Sequence, residues 1–220
     1  FAWKYGIKFK KNICNTEKIV CVCENFTDLS KTLYEFENLA LSTNPDKKIE
    51  TELSDILNVL DENKIINSTK IKEKFWDMFI IDALIGNTDR HNGNWGFLAD
   101  NQTKEVEFAP IYDCGSCLNP MIDDNEMEKL KENEIKNLAI NCYSCLKENG
   151  KKINYMTYIR NTKNEECHKA IIRVFKDINI IKINNFIDGV SCMSNIRKEF
   201  YKEIINIRYK IIEEVYNKIN

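Results

Sequence analysis

The sequence predicts an α+β fold, mostly α. Apolar stripes recur every three to four residues along most of the chain, one short β-branched run stands near its start, and one hairpin pattern interrupts the helices. In order, Lys18–Cys23 alternates valines with Cys21 and Cys23, the pattern of a buried strand. Glu24–Asp28 breaks that run, after which Leu29, Leu33, Phe36, Leu39 and Ala40 fall on one helical face. Ser42–Pro45 punctuates before a second stripe of Ile49, Leu53, Ile56, Leu57 and Leu60. Asn67, Ser68 and Thr69 supply capping side chains for a long helix carrying Ile71, Phe75, Phe79 and Ala83, widened by Trp76, Ile80 and Leu84. A stripe that wide places the helix at the centre of a core, and it stops at Gly86-Asn87. Trp95–Ala99 and Val106–Tyr112, separated by a polar turn, read as a β-hairpin. From about residue 125 the pattern is helical again. Cys167, Ala170, Ile171, Val174, Phe175 and Ile178 share one face; Ile196, Phe200, Ile204, Ile207, Ile211 and Val215 share another, on a last helix capped by Ser194. The Lys/Glu/Asn-rich residues 123–137 read as a solvated face.

Composition removes several function classes. With 43% hydrophobic and 30% charged residues, the chain of 220 buries a real core, and wholesale disorder is excluded. No apolar run approaches the ~18 residues of a membrane-spanning helix. A formal charge of −2, from 32 basic and 34 acidic residues, offers no polycationic surface for nucleic acid. Nine cysteines, an odd number in a chain too large to need disulfide staples, point to free thiols in a reducing cytoplasm. Two CxxC pairs, Cys114/Cys117 and Cys142/Cys145, have the ligand types of a structural zinc site, but the gap between them is slightly longer than the usual ribbon spacing and free cysteine is a common small buried residue, which favours core or loop thiols. His168 sits among charged residues and reads as solvated. The chain opens with Phe1 rather than Met, and its first residues lack the apolar core of a signal peptide, so it reads as a piece of something longer.

The densest polar cluster lies at the helix-to-hairpin junction, Gly86 to Asn94, and a second acid, Asp113, closes the hairpin in Pro110–Gly115. Asp89 and Asn94 are five residues apart on a loop held between a buried helix and a strand, and the hairpin returns Asp113 beside it. Two acids and an amide oxygen suit Mg²⁺, a hard ion that fills its shell with phosphate oxygens. One carboxylate remains to accept a proton from an attacking hydroxyl, and phosphoryl transfer asks for little more than positioning, metal and base. Such residues are also ordinary in loops. The longer string Asp89-Arg90-His91-x-x-Asn94, with its offset of five and a later metal-type Asp, matches the protein-kinase arrangement.

The segment FIIDALIGNTDRHNGNWGFL…FAPIYDCGSCL resembles the catalytic core of bacterial HipA-like serine/threonine kinases and, more distantly, phosphatidylinositol kinases. Val22–Phe26 resembles that family's hinge, and IRKEFYKEIINIRY resembles its last helix. The resemblance implies a protein-kinase-like helical C-lobe over 29–220 and a remnant of N-lobe strands and hinge over 1–28. It implies Asp89 as the catalytic aspartate, Asn94 and Asp113 on Mg²⁺ between the ATP phosphates, and the main chain at Glu24 and Phe26 facing adenine. His91 either contacts nucleotide or phosphate or is a hydrogen-bonded loop histidine; Arg90 either contacts phosphate or braces the loop. The partners it implies are ATP, Mg²⁺ and a protein substrate, in a cytoplasmic bacterial enzyme. The alternative is a non-catalytic, toxin-like subunit held by an antitoxin-like protein; a lipid kinase fits less well, because the near-neutral chain shows no membrane patch. One departure stands out: Gly6 is the sole glycine before Gly86, so no glycine-rich loop precedes the motif, and none of Lys4, Lys8, Lys10 and Lys11 is singled out as the ATP lysine.

Overall fold

The computed structural model describes residues 7–9, 18–20, 25–43, 50–63 and 68–220. Strand β1 (Ile7–Phe9) pairs antiparallel with β2 (Lys18–Val20). The rest of the expected strand and hinge, Cys21 to Glu24, lies outside the described residues, as do Pro45, Ile49 and the capping residue Asn67.

The helix expected from Leu29 onward begins later. Residues Lys31–Glu35 form strand β3, and helix α1 (Phe36–Thr43) starts where that strand ends. Asp28 sets the difference: its carboxylate accepts from the backbone N–H of Ser30 (2.7 Å) and Lys31 (3.0 Å), a local turn that competes with helix initiation. β3 then pairs residue for residue with β4 (Gly96–Asp100), Lys31 opposite Asp100 and Glu35 opposite Gly96. Leu29 is fully exposed, whereas Phe36 and Ala40 are buried, so the expected single face is divided between two segments.

Helix α2 (Leu53–Glu62) buries Leu53, Ile56, Val59 and Leu60. Helix α3 (Ser68–Ile85) is the centre of the core, burying Ile71, Phe75, Trp76, Met78, Phe79, Ile80, Ala83 and Leu84. It ends at Gly86 (φ 69°), a left-handed residue whose missing Cβ makes room for Arg208: an added Cβ there would overlap the guanidinium. Arg208 is buried and its Nε donates to the Ala139 carbonyl at 2.9 Å, so it has little freedom to retreat. Gly86→Ala is therefore expected to cost about 3 kcal/mol, from left-handed strain and the displaced arginine together. Thermal unfolding should register this as a fall of roughly 6–12 °C.

β4 continues into β5 (Val106–Phe108), completing the antiparallel sheet β3-β4-β5. β5 is shorter than the expected Val106–Tyr112, because Pro110 has no N–H to extend the ladder. Helices α4 (Asp124–Lys129) and α5 (Glu132–Ile140) occupy the segment expected to be a solvated face; most of it is exposed, but Met127 and Ile135 turn inward. A second hairpin, β6 (Tyr143–Glu148) and β7 (Lys151–Asn154), stands where helix was expected. Its turn, Asn149-Gly150, has positive φ at both residues (54° and 75°), as a two-residue hairpin requires. The Glu52 carboxylate accepts from both turn N–H groups, at 2.6 and 3.1 Å, which docks the hairpin on the start of α2.

Helices α6 (Tyr155–Asn161), α7 (Glu165–Asp177), α8 (Ile180–Asp188) and α9 (Asn195–Ile219) complete the chain. α7 turns Cys167, Ala170, Ile171 and Val174 inward and packs on α3 and α9, and Ser194 caps α9 by accepting from the Arg197 N–H at 3.1 Å. Phe200 and Ile204 of α9 close a smaller core with Met127, Ile135 and Ala139. Among the described residues no helix is long and apolar enough to cross a membrane. The described cysteines are free thiols, and no group of three or more His, Cys, Asp or Glu among the described residues is placed to hold a metal, so the two CxxC pairs do not converge on a zinc site.

Candidate active site

Two rigid supports present the site. Helix α3 delivers the loop 87–95 from its C-terminal end, and β4 with β5 carries the chain back to Tyr112-Asp113. Between them lies a buried ion pair. Asp82 and Arg90 are each 1% exposed; Nε of Arg90 donates to one Asp82 oxygen at 2.8 Å and Nη2 to the other at 2.9 Å. Burial raises the Asp82 carboxyl above its usual range, opposed by Arg90 and Asn87. Burial also works against the Arg90 charge, but the facing carboxylate outweighs it and the guanidinium stays protonated. The bidentate geometry is that of an ionised pair.

The loop is folded on its own polar groups. Asn87 donates from Nδ2 to Asp82 (3.1 Å) and accepts from the Asp89 N–H at Oδ1 (3.1 Å), while its carbonyl accepts from the buried Tyr155 hydroxyl (2.8 Å). Asn94 is 6% exposed and donates from Nδ2 to the Asp89 carbonyl at 2.8 Å. That bond fixes the amide's orientation and leaves Oδ1 as its oxygen for a hard cation. Tyr112 closes the far side, its hydroxyl donating to the Gly93 carbonyl at 3.2 Å.

Within this frame the Asp89 and Asp113 side chains are exposed, and neither forms an ion pair among the described residues. Asp113 has φ 50°, a left-handed backbone for a non-glycine residue, which turns the chain sharply after β5. Arg90 brings the two segments together, because its Nη1 donates both to the Asn94 carbonyl and to the Tyr112 carbonyl just before Asp113. His91 is exposed; its Nδ1 accepts from the Gly93 N–H at 3.1 Å, so Nε2 is the nitrogen left to face outward. Phe26 is half-buried, its ring 5.8 Å from that of Tyr112, which puts the described part of the expected hinge beside the Asp113 turn. Glu24 lies outside the described residues.

Of the two readings open for Arg90, the structure selects the brace. Cys114, next to Asp113, is held down to about 7 by the Cys117 thiol and, against burial, by Arg90, whose Nη2 lies 3.5 Å from its sulfur. Asp82 and Tyr155 support the candidate site but were not singled out from the sequence, and Asn87 and Tyr112, read there only as parts of the motif, turn out to hold the loop. For Asp82 a signal was present: an acid inside the apolar stripe FIIDALI is retained in a core only when paired.

Residues 21–178 match the HipA-like C-terminal domain family. The chain is 39% identical over 224 residues to the serine/threonine-protein kinase CtkA of Helicobacter pylori (strain J99), across 97% of this chain and 68% of that protein. The crystal structure of a Helicobacter pylori proinflammatory kinase CtkA superposes with a TM-score of 0.85 at 38% identity, over 93% of this chain and 77% of that one. With the motif, the fold and the length of the match in agreement, the chain belongs to the HipA-like C-terminal domain family and has its kinase fold.

Proposed function

We propose that this chain carries the phosphoryl-transfer site of a serine/threonine protein kinase, moving the γ-phosphoryl group of ATP to a hydroxyl of a protein substrate. The observation that carries the reading is the pairing, through one buried arginine, of the Asn94 segment with the Asp113 turn beside an exposed Asp89. The kinase class rests on family membership and on identity to CtkA along nearly the whole chain.

The donor set fits Mg²⁺. Asn94 Oδ1 and the Asp113 carboxylate are hard oxygen donors, and two protein ligands suit an ion that keeps phosphate and water oxygens for the rest of its shell. Asn94 and Asp113 would hold the ion there, where it would supply neutralisation of charge on the transferring phosphates. Asp89 orients the substrate hydroxyl and takes its proton as the oxygen bonds to phosphorus and ADP departs. His91 offers Nε2 to the phosphates, and the main chain at Phe26 faces the adenine.

The test is transfer of labelled γ-phosphate by the full-length protein to itself and to a general protein substrate, with Mg²⁺ and phosphoamino-acid analysis. Phosphoserine or phosphothreonine is the expected product. No transfer, together with no calorimetric binding of Mg·ATP, would overturn the reading.

A further inference from the structure

Arg90 is built in more detail than a loop brace needs. Its guanidinium has five N–H groups. Each meets an acceptor: Nε and one Nη2 hydrogen meet the Asp82 carboxylate, the second Nη2 hydrogen meets Cys114 Sγ at 3.5 Å, and the two Nη1 hydrogens meet the carbonyls of Asn94 and Tyr112. At 1% exposure, with no donor left over, it cannot serve as a phosphate contact. The two carbonyls it joins belong to one candidate metal ligand, Asn94, and to the residue preceding the other, Asp113. Asp113 also holds a left-handed backbone (φ 50°) that costs a non-glycine residue about 1 kcal/mol unless something secures it.

We infer that Arg90, anchored by Asp82, is a positioning residue for the metal site: it sets the separation of Asn94 Oδ1 from the Asp113 carboxylate, and so the affinity for the divalent cation. The inference rests on the kinase reading above. The planar fork is essential to it. A lysine at 90 keeps a charge opposite Asp82 but, as a single ammonium with three donors, cannot hold both carbonyls and the carboxylate in one plane. The cation should therefore be lost before the fold is.

The experiment uses Mn²⁺ as the probe. Its binding to the full-length protein in the presence of a non-hydrolysable ATP analogue is followed by electron paramagnetic resonance, for the wild type, Arg90→Lys and Asp82→Asn. Arg90→Lys should weaken Mn²⁺ binding about 10- to 100-fold, the range seen when a residue supporting metal ligands is lost. KM for the protein substrate should stay within about twofold, because Arg90 does not face it. A purely structural role would lower the folded fraction without changing the Mn²⁺ affinity of what remains folded. Folded Arg90→Lys with wild-type Mn²⁺ affinity would overturn the inference and leave the kinase reading intact. If Arg90→Lys does not melt cooperatively, Asp82→Asn decides, read on its folded fraction: it leaves the Arg90 guanidinium and both carbonyl acceptors in the chain but removes the carboxylate charge and part of the bonding from Arg90 and Asn87, so weaker Mn²⁺ binding supports the inference and unchanged binding refutes it. A wild type that binds neither Mn²⁺ nor nucleotide overturns both.

Discussion

Asp113→Asn is expected to reduce phosphoryl transfer about a thousandfold or more, equivalent to roughly 4 kcal/mol of transition-state stabilisation, while the protein melts near the wild-type temperature. The side chain is exposed and forms no ion pair among the described residues, so little folding energy depends on it. Asparagine is the right replacement because Asp113 sits at φ 50°, where Asn is tolerated and Ala is strained. Asp89→Asn should behave alike, since its carboxylate is also exposed while its backbone N–H and carbonyl, which hold the loop, are untouched. The two losses should combine to less than their product, as for groups acting in one step. Steady-state phosphorylation beside a thermal melt is the measurement. Persistent transfer in both variants would remove these residues from the chemistry.

Asp82→Ala should instead act on the fold. It leaves the Arg90 guanidinium buried at 1% exposure without its carboxylate and strips Asn87 of its acceptor. Breaking a buried pair from one side costs about 3–5 kcal/mol, which for a chain of this length lowers the melting temperature by roughly 6–20 °C. Replacing both partners by apolar residues of similar volume, Asp82→Leu with Arg90→Met, should restore part of that stability, because no orphaned charge remains although Asn87 and the carbonyls of Asn94 and Tyr112 stay unpaired. Transfer should not return, since the carbonyls of Asn94 and Tyr112 still lack their donor. Denaturant unfolding and phosphorylation, measured on both variants, separate the pair's two roles.

The candidate site was legible because the residues proposed for it are local. Asp89, His91 and Asn94 share one loop and Asp113 one turn, and the helix and hairpin that carry them show clear periodicity. What supports those groups was not legible. Tyr155 reaches Asn87 across 68 residues, and Arg90 reaches Tyr112 across 22. Over short stretches helical spacing is ambiguous: Leu29 and Leu33 are four apart in a turn and strand as they would be in a helix. The hairpin at 143–154, expected as helix, did carry a signal that the helical pattern hid: Asn149-Gly150, the two-residue turn most typical of hairpins.

Sequence by itself determined the chemical inventory: two carboxylates, an amide and a histidine at kinase-like spacing, on a chain patterned to bury long helices. Those properties depend on residue type and neighbour distance, which the linear order records. Tertiary structure alone decided that Lys31–Glu35 is a strand, because β4 supplies its hydrogen-bond partners. It alone decided that Arg90 faces inward, because a buried cation takes its orientation from the acceptors that surround it. Those acceptors belong to four residues, 82, 94, 112 and 114, brought together only when helix, loop and hairpin close on one another.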